Sequence, residues 1–133
     1  MNNWVHKDEW HRRGKDFLVT VKRHSVELSD LSPHKGPHRW AVYAYIYPAH
    51  KYFKEFTNNE PWQAAALAMP LHWGPSFFMR HIDVDDKTTS VQVGADYHHL
   101  HDDRFSHYAT DDDATRIFAD ADHLHDWLQA RQA

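Results

Sequence analysis

Histidine and aspartate are concentrated in the stretch DYHHLHDD at residues 96–103. Asp96, His99 and Asp102 recur there at steps of three residues, which gathers them on one side of a turn-like segment. Imidazole and carboxylate groups that lie so close can coordinate a metal ion, or can form a histidine base oriented by an aspartate. The spacing therefore predicts His99 as a catalytic base, with Asp102 and Asp96 as the carboxylates that orient it.

Two further segments place proton-active side chains at the ends of expected strands. In YPAH (47–50) His50 follows a tyrosine-rich run, and in PLHWGPS (70–76) His72 lies next to Gly74. We expect His50, His72 and the 96–102 segment to converge in one pocket, where a glycine at 94 lets a ligand or another backbone approach closely. The predicted ligand-binding residues are His50, His72, Gly74, Gly94, Tyr45 and Tyr47. The predicted metal ligands are His72, His99 and Asp96.

Alternating apolar and polar residues predict four strands, at 15–24, 39–48, 76–84 and 88–97. The strand at 39–48 has one apolar face and one tyrosine face: Trp40, Val42, Ala44 and Ile46 against Tyr43, Tyr45 and Tyr47. A row of tyrosines suits either a pocket wall or a sheet face packed under a helix, because each ring is apolar in its body and polar at its tip. The second alternative is the simpler expectation.

The C-terminal residues 110–133 are predicted to form a helix. Thr110 and Asp113 have the spacing of a capping box, and the aspartates at 111–113 favour the positive end of the helix dipole, which we prefer to metal binding as their role. Its apolar stripe consists of Ala114, Ile117, Ala121, Leu124 and Leu128. A short helix is also expected within 59–70. The predicted fold class is α+β: a small, mostly antiparallel four-stranded sheet with the C-terminal helix packed on one face.

Size and composition favour one domain over residues 1–133, with residues 1–14 as an N-terminal extension. The chain has 133 residues, 41% of them hydrophobic, which is sufficient for a core. The absence of cysteine excludes disulfides and thiolate zinc sites. The sequence shows neither a membrane span nor a secretory signal, so we expect a cytoplasmic protein.

Charge is distributed unevenly along the chain. Residues 1–54 carry a net charge of +5 and residues 55–133 carry −9, and the whole chain carries −4. This balance disfavours a generic nucleic-acid binder, although a local basic face in the first half is compatible with it. The four glycines are spaced too widely for a dinucleotide or phosphate-binding loop.

Three motifs resemble a family of small phage- and prophage-associated proteins of uncharacterised function. The family pattern P-x-x-H, H-G-G-x-[TS] and G-x-D-x-x-H-x-x-D corresponds here to 48–50, 72–76 and 94–102, and the likeness covers roughly residues 38–130. The sequence departs from the pattern at Trp73, where the family usually has glycine, and lacks one spacer residue before His50. The resemblance implies a phage origin, hence the host cytoplasm, and a shared site, but no particular activity.

Three hypotheses for function follow. In the first, the histidines and aspartates line a pocket for a small anionic or nucleotide-like ligand or a divalent metal, with hydrolysis as the chemistry. In the second, a non-enzymatic phage accessory protein blocks a host factor, such as a defence system, by protein–protein contact. In the third, the same side chains cap strands and bond to loop backbone, and so stabilise the fold. A homodimer is compatible with all three.

Overall fold

The computed structural model of the chain describes residues 5–6, 9–26, 35–56, 64–99 and 102–132. An antiparallel sheet with the strand order β1-β2-β3-β4-β6-β5 contains β1 (Val5–His6), β2 (Glu9–Gly14), β3 (Phe17–Ser25), β4 (His38–Ile46), β5 (Phe77–Ile82) and β6 (Thr88–Asp96). The helices are α1 (Ala64–Leu67) and α2 (Thr115–Gln132), with short 3-10 turns at Phe53–Glu55 and Asp103–His107. The α+β class and the C-terminal helix are as predicted, whereas the sheet has more strands than the four expected.

The additional long strand is β2, in the segment that we had expected to be an extension. It pairs with β3 over its whole length, from Glu9 beside Lys22 to Gly14 beside Phe17. Trp10 is buried and stacks on Trp40 with ring centroids 5.5 Å apart. The N-terminal segment therefore contributes to the core through Trp10, while Trp4 lies outside the described residues.

The core lies between α2 and one face of the sheet. The predicted stripe of the helix is completely buried, and the side chains facing it from β3, β4 and β6 are buried as well. These strand residues are Phe17, Val19, Val21, Trp40, Val42, Ala44, Ile46, Val91, Val93 and Ala95. Burying one such large aliphatic or aromatic side chain contributes about 1.5–3 kcal/mol.

The predicted cap contact forms, but α2 begins at Thr115 and not at residue 110, because residues 111–114 form turns. Thr110 Oγ1 accepts a hydrogen bond from the Asp113 backbone N–H (3.3 Å), and Asp113 Oδ2 accepts one from Ala109 N–H (3.3 Å). The Asp113 carboxylate thus accepts from Ala109, the residue that precedes the capping threonine. Of the helix expected within 59–70, the structure shows α1 at 64–67, and residues 57–63 lie outside the described part. Among the residues described, no helix combines the length and the apolar character needed to cross a membrane.

The outer face of the sheet is the face opposite α2. It carries Tyr43, which packs edge-on against Phe77, and Tyr45, which stacks on His81. The expectation that the tyrosine face packs under a helix is therefore wrong for the C-terminal helix, because α2 covers the other face. The outer face is available to form a pocket wall.

Candidate metal centre

The sheet topology brings the loop before β5 next to the segment after β6. Phe77 of β5 pairs with Gly94 of β6, so the residues preceding Phe77 lie beside those following Gly94. Ser76 fixes this junction, since its backbone N–H donates to Gly94 O (2.8 Å) and its hydroxyl oxygen accepts from Asp96 N–H (3.1 Å). His72 and the 96–102 segment consequently meet at one end of the sheet.

His72, His99 and Asp102 form a compact cluster at this end. The His72 Nε2 atom lies 2.9 Å from Asp102 Oδ2 and 3.0 Å from Oδ1, and His99 Nδ1 lies 3.2 Å from Oδ2. One nitrogen or oxygen atom from each of the three residues lies within 4.8 Å of the others. The cluster therefore presents two imidazoles and one carboxylate toward a common point.

Asp102 is the centre of the cluster, and its side chain is only 4% exposed. A tight turn holds it, because Asp102 N–H donates to His99 O (3.0 Å) and His99 N–H donates back to Asp102 Oδ2 (3.0 Å). Burial alone would raise the pKa of Asp102, but the hydrogen bonds from His72 and His99 outweigh burial and lower it below its ordinary value. The carboxylate is thus held in its charged form.

Aromatic rings fix the orientation of His72. The ring of Tyr97 stacks on the imidazole with centroids 4.3 Å apart, and Phe105 packs against it edge-on at 5.4 Å. The Tyr97 hydroxyl donates to Asp120 Oδ2 on α2 (2.7 Å), and burial strongly raises the pKa of this phenol. The sequence analysis did not predict a role for Tyr97. Residues 91, 93 and 95 of β6 point into the core, and the same alternation makes Tyr97 the next inward residue.

The turn that carries His72 contains a strained residue. Gly74 N–H donates to Leu71 O (2.9 Å), and Trp73, the third residue of this turn, has φ = 59°. A positive φ at the third position is characteristic of a type II turn, which normally has glycine there. Here a tryptophan that is 71% exposed adopts the left-handed conformation. Gly74 also has positive φ (80°), and the space above its Cα is open.

Asp96 lies at the edge of the cluster and contacts it through the His99 ring. Its Oδ1 lies 3.4 Å from His99 Nδ1, and its Oδ2 lies 3.5 Å from His98 Nε2 and 3.3 Å from Ser76 Oγ. Within the predicted trio, the His99 ring therefore lies near both carboxylates, those of Asp96 and Asp102. The predicted metal set needs a correction, because the carboxylate that contacts both imidazoles belongs to Asp102 and not to Asp96.

His50 does not join the other two imidazoles, contrary to the expected convergence. The residue is 2% exposed, its Nε2 lies 3.0 Å from Leu128 O on α2, and its Nδ1 accepts from Tyr52 N–H (3.0 Å). In the pairing of β4 with β6, Asp96 lies beside Ala41, and the chain then runs about 17 Å along β4 before reaching the turn that holds His50. His50 therefore anchors α2 at the opposite end of the sheet.

The remaining predicted ligand-binding residues lie on or beside the outer face. Any Cβ added to Gly94 would lie 2.3 Å from Tyr43 Cδ1, so the close approach at this glycine is made by a tyrosine ring. Tyr45 faces His81 two strands away, and Tyr47 N–H donates to Asp16 O (3.1 Å) beyond the end of β4. These contacts separate both tyrosines from His72 and His99.

No protein-family model matches the chain, and no curated protein or solved structure is significantly similar to it. The likeness to phage-associated proteins thus rests on the three sequence motifs. What the site can do is inferred from its own donor atoms, burial and charge.

Proposed function

We propose that this chain is a phage-type accessory protein that binds a divalent metal ion through His72, His99 and Asp102 and uses it to hydrolyse a small anionic ligand. The observation that supports it is the convergence of three ligand atoms, from two separate segments of the chain, within 4.8 Å. Both imidazoles contact the Asp102 carboxylate, which is the arrangement expected if the three residues share one metal ion.

The donor set fits a metal ion of the zinc type. Two imidazoles and one carboxylate are the three protein ligands of many catalytic zinc sites, which leave a fourth position for water or substrate. A metal ion bound there would supply a water molecule of lowered pKa as the nucleophile. Asp102, whose pKa is lowered by the hydrogen bonds from His72 and His99, would supply a negative charge to a divalent cation.

The residues around the donor set have complementary roles. Tyr97 and Phe105 confine the His72 ring, so that its Nε2 stays directed at Asp102. Asp96 lies 3.4 Å from His99 Nδ1 and is partly exposed, so its carboxylate is the nearest proton acceptor at the edge of the cluster. In this arrangement His99 acts as a ligand, and the role of base passes from His99 to Asp96.

Metal binding is tested directly on the untagged full chain. After treatment with EDTA the protein is titrated with Zn²⁺ by calorimetry, and its metal content is read by native mass spectrometry. His72→Ala and His99→Ala should each weaken zinc binding by about 100-fold or more, since each removes one of three ligands. The matched control is His98→Ala, which removes the adjacent exposed imidazole and should leave the affinity unchanged. Equal affinities in all four proteins would overturn the proposal.

One observation favours the second candidate, a non-enzymatic inhibitor of a host factor. The end strand β5 and the turn that follows it expose three large apolar side chains, namely Met79, Ile82 and Val84. Exposed apolar residues grouped on one element are typical of a protein-binding surface. For this candidate, Val84→Glu should abolish capture of a host protein from lysate while His72→Ala preserves it. The reverse pattern would leave the metal centre as the functional site.

A further inference from the structure

A trough on the outer face of the sheet adjoins the metal centre. It has a volume of about 240 Å³, and its lining includes Lys22, Tyr43, Phe77, Asp96 and His98. Asp96 belongs to both the trough and the metal centre, because it lines the trough and its carboxylate lies 3.4 Å from His99 Nδ1. A molecule seated in the trough would therefore be one side chain away from the proposed metal ligands.

The strand register explains the shape of the trough. Lys22 pairs with Ala41, and Ala41 pairs with Asp96, so these three residues form one row across β3, β4 and β6 on the same face. The small Ala41 side chain is the floor, and the longer side chains on either side of it are the two ends. Two inter-strand spacings separate the ends, which is about 10 Å.

The next row of the sheet forms an aromatic wall. Tyr43 pairs with Gly94, and Gly94 pairs with Phe77, so the missing side chain at Gly94 lets the two rings meet with centroids 5.4 Å apart and planes at 85°. Aromatic walls of this kind favour planar rings as ligands. The volume is below the usual range of about 300–1,000 Å³ for drug-sized ligands, which limits the occupant to a single small molecule.

The two ends of the trough differ in charge. At one end the Lys22 ammonium is 42% exposed, lies 5.4 Å from the Tyr43 ring centroid, and has Glu9 as a carboxylate neighbour at 3.5 Å. At the other end Asp96 offers carboxylate oxygens, with the Ser76 hydroxyl beside them at 3.3 Å. A fitting ligand has an anionic group at one end, hydrogen-bond donors about 10 Å away at the other, and a planar ring between them.

We propose that this trough binds a nucleoside monophosphate, with the phosphate at Lys22, the base against Tyr43 and Phe77, and the N–H edge of the base directed to Asp96. The inference goes beyond the proposed function, because the phosphate would lie at the Lys22 end of the trough, about 10 Å from the Asp96 end that adjoins the metal centre. The binding itself needs only the residues of the trough. It therefore can be measured on protein that contains no metal.

Binding is tested by NMR titration and calorimetry of the EDTA-treated full chain with AMP, CMP, GMP and UMP. Adenosine and inorganic phosphate are the control ligands. At least one nucleotide should bind with shifts centred on Phe77 and Asp96, adenosine should bind about tenfold more weakly, and phosphate should bind more weakly still. Absence of nucleotide binding up to about 5 mM would overturn the inference, and so would equal binding of a zwitterionic dipeptide such as Gly-Tyr.

Two variants and a matched control locate the site. Phe77→Ala should weaken nucleotide binding about tenfold by removing the stacking surface. Lys22→Gln should weaken the nucleotide but not adenosine. Met79→Ala is the control, because Met79 lies on the same strand and face two residues further on, is 46% exposed, and does not line the trough. Equal losses in Phe77→Ala and Met79→Ala would refute the location. Failure of zinc binding with intact nucleotide binding would instead refute the metal centre alone.

Discussion

Replacing Asp102 by asparagine tests the central contact of the cluster. Asparagine has nearly the same shape as aspartate, so the substitution creates no cavity. It removes the charge, however, and replaces one acceptor oxygen by an NH₂ group that can only donate. The carboxylate of Asp102 is contacted by the His72 ring (2.9 Å), by the His99 backbone N–H (3.0 Å) and by the His99 ring (3.2 Å). All three groups contact the same oxygen, Oδ2, and His72 Nε2 also lies 3.0 Å from Oδ1. Asparagine therefore keeps one neutral acceptor oxygen for the three groups and places its NH₂ group next to the His72 ring.

The expected loss can be worked out from these contacts. Hydrogen bonds to a charged acceptor contribute about 1.5–3 kcal/mol, against about 0.5–1.5 kcal/mol for neutral pairs. Three bonds that each lose about 1 kcal/mol when the acceptor becomes neutral thus add up to about 2–4 kcal/mol. Breaking a buried ion pair by removing one partner costs a similar amount. We therefore expect Asp102→Asn to lower the free energy of unfolding by about 2–4 kcal/mol.

The measurement is urea denaturation at pH 7 in EDTA, which separates this stability effect from metal binding. Asp103→Asn is the matched control, because the neighbouring carboxylate is more exposed, and its substitution should change stability by about 0.5 kcal/mol or less. A loss below about 1 kcal/mol for Asp102→Asn would show that the two imidazoles do not hold the carboxylate in solution.

Three further predictions concern the residues around the site. Gly94→Ala should cost about 1–3 kcal/mol of stability, because the added Cβ would lie 2.3 Å from a Tyr43 ring carbon; denaturation should show a smaller loss in a Tyr43→Ala background, and equal losses would contradict this. Trp73→Gly should leave stability unchanged or raise it by up to about 1 kcal/mol, since glycine tolerates φ = 59°, and a clear loss in thermal unfolding would argue for a packing role of the indole. Burial lowers the pKa of His50 below its ordinary 6.5, so the unfolded chain binds more protons than the folded chain, and stability should fall as pH drops through and below 6.5. His50→Gln should flatten that slope by at most about 1.4 kcal/mol per pH unit, and identical pH profiles for the two proteins would contradict the assignment.

Most of the fold follows from local patterns in the sequence. The four predicted strands correspond to β3–β6 within a few residues, because each alternates with a period of two, and the helix stripe corresponds to α2. The strand β2 was missed for a physical reason. On its inner face it carries Trp10, Arg12 and Gly14, so only one side chain in three has the apolar character that marks a buried strand. The position of β2 in the sheet is therefore determined by its pairing with β3 and not by its own hydrophobic pattern.

The site was predictable where it depends on short distances along the chain. The three-residue steps of Asp96, His99 and Asp102 produce a local turn, and the structure shows their side chains together. His50 was misplaced because strand direction was left out of the reasoning. His50 follows the end of β4 and the 96–102 segment follows the end of β6, and in antiparallel neighbours these ends point in opposite directions. The contact of His72 with Asp102 obeys the same rule, since His72 precedes β5.

The tyrosine behind His72 makes the C-terminal helix a part of the support of the proposed metal centre. Tyr97 contacts the imidazole with one face of its ring and holds α2 by its hydroxyl, 2.7 Å from Asp120. A displacement of α2 is therefore passed on to the imidazole, although the helix supplies none of the three donor atoms. In the proposed metal centre, a partner molecule bound to the far surface of α2 would therefore change the metal affinity, and proteolytic release of the helix would weaken metal binding although all three donor residues remain.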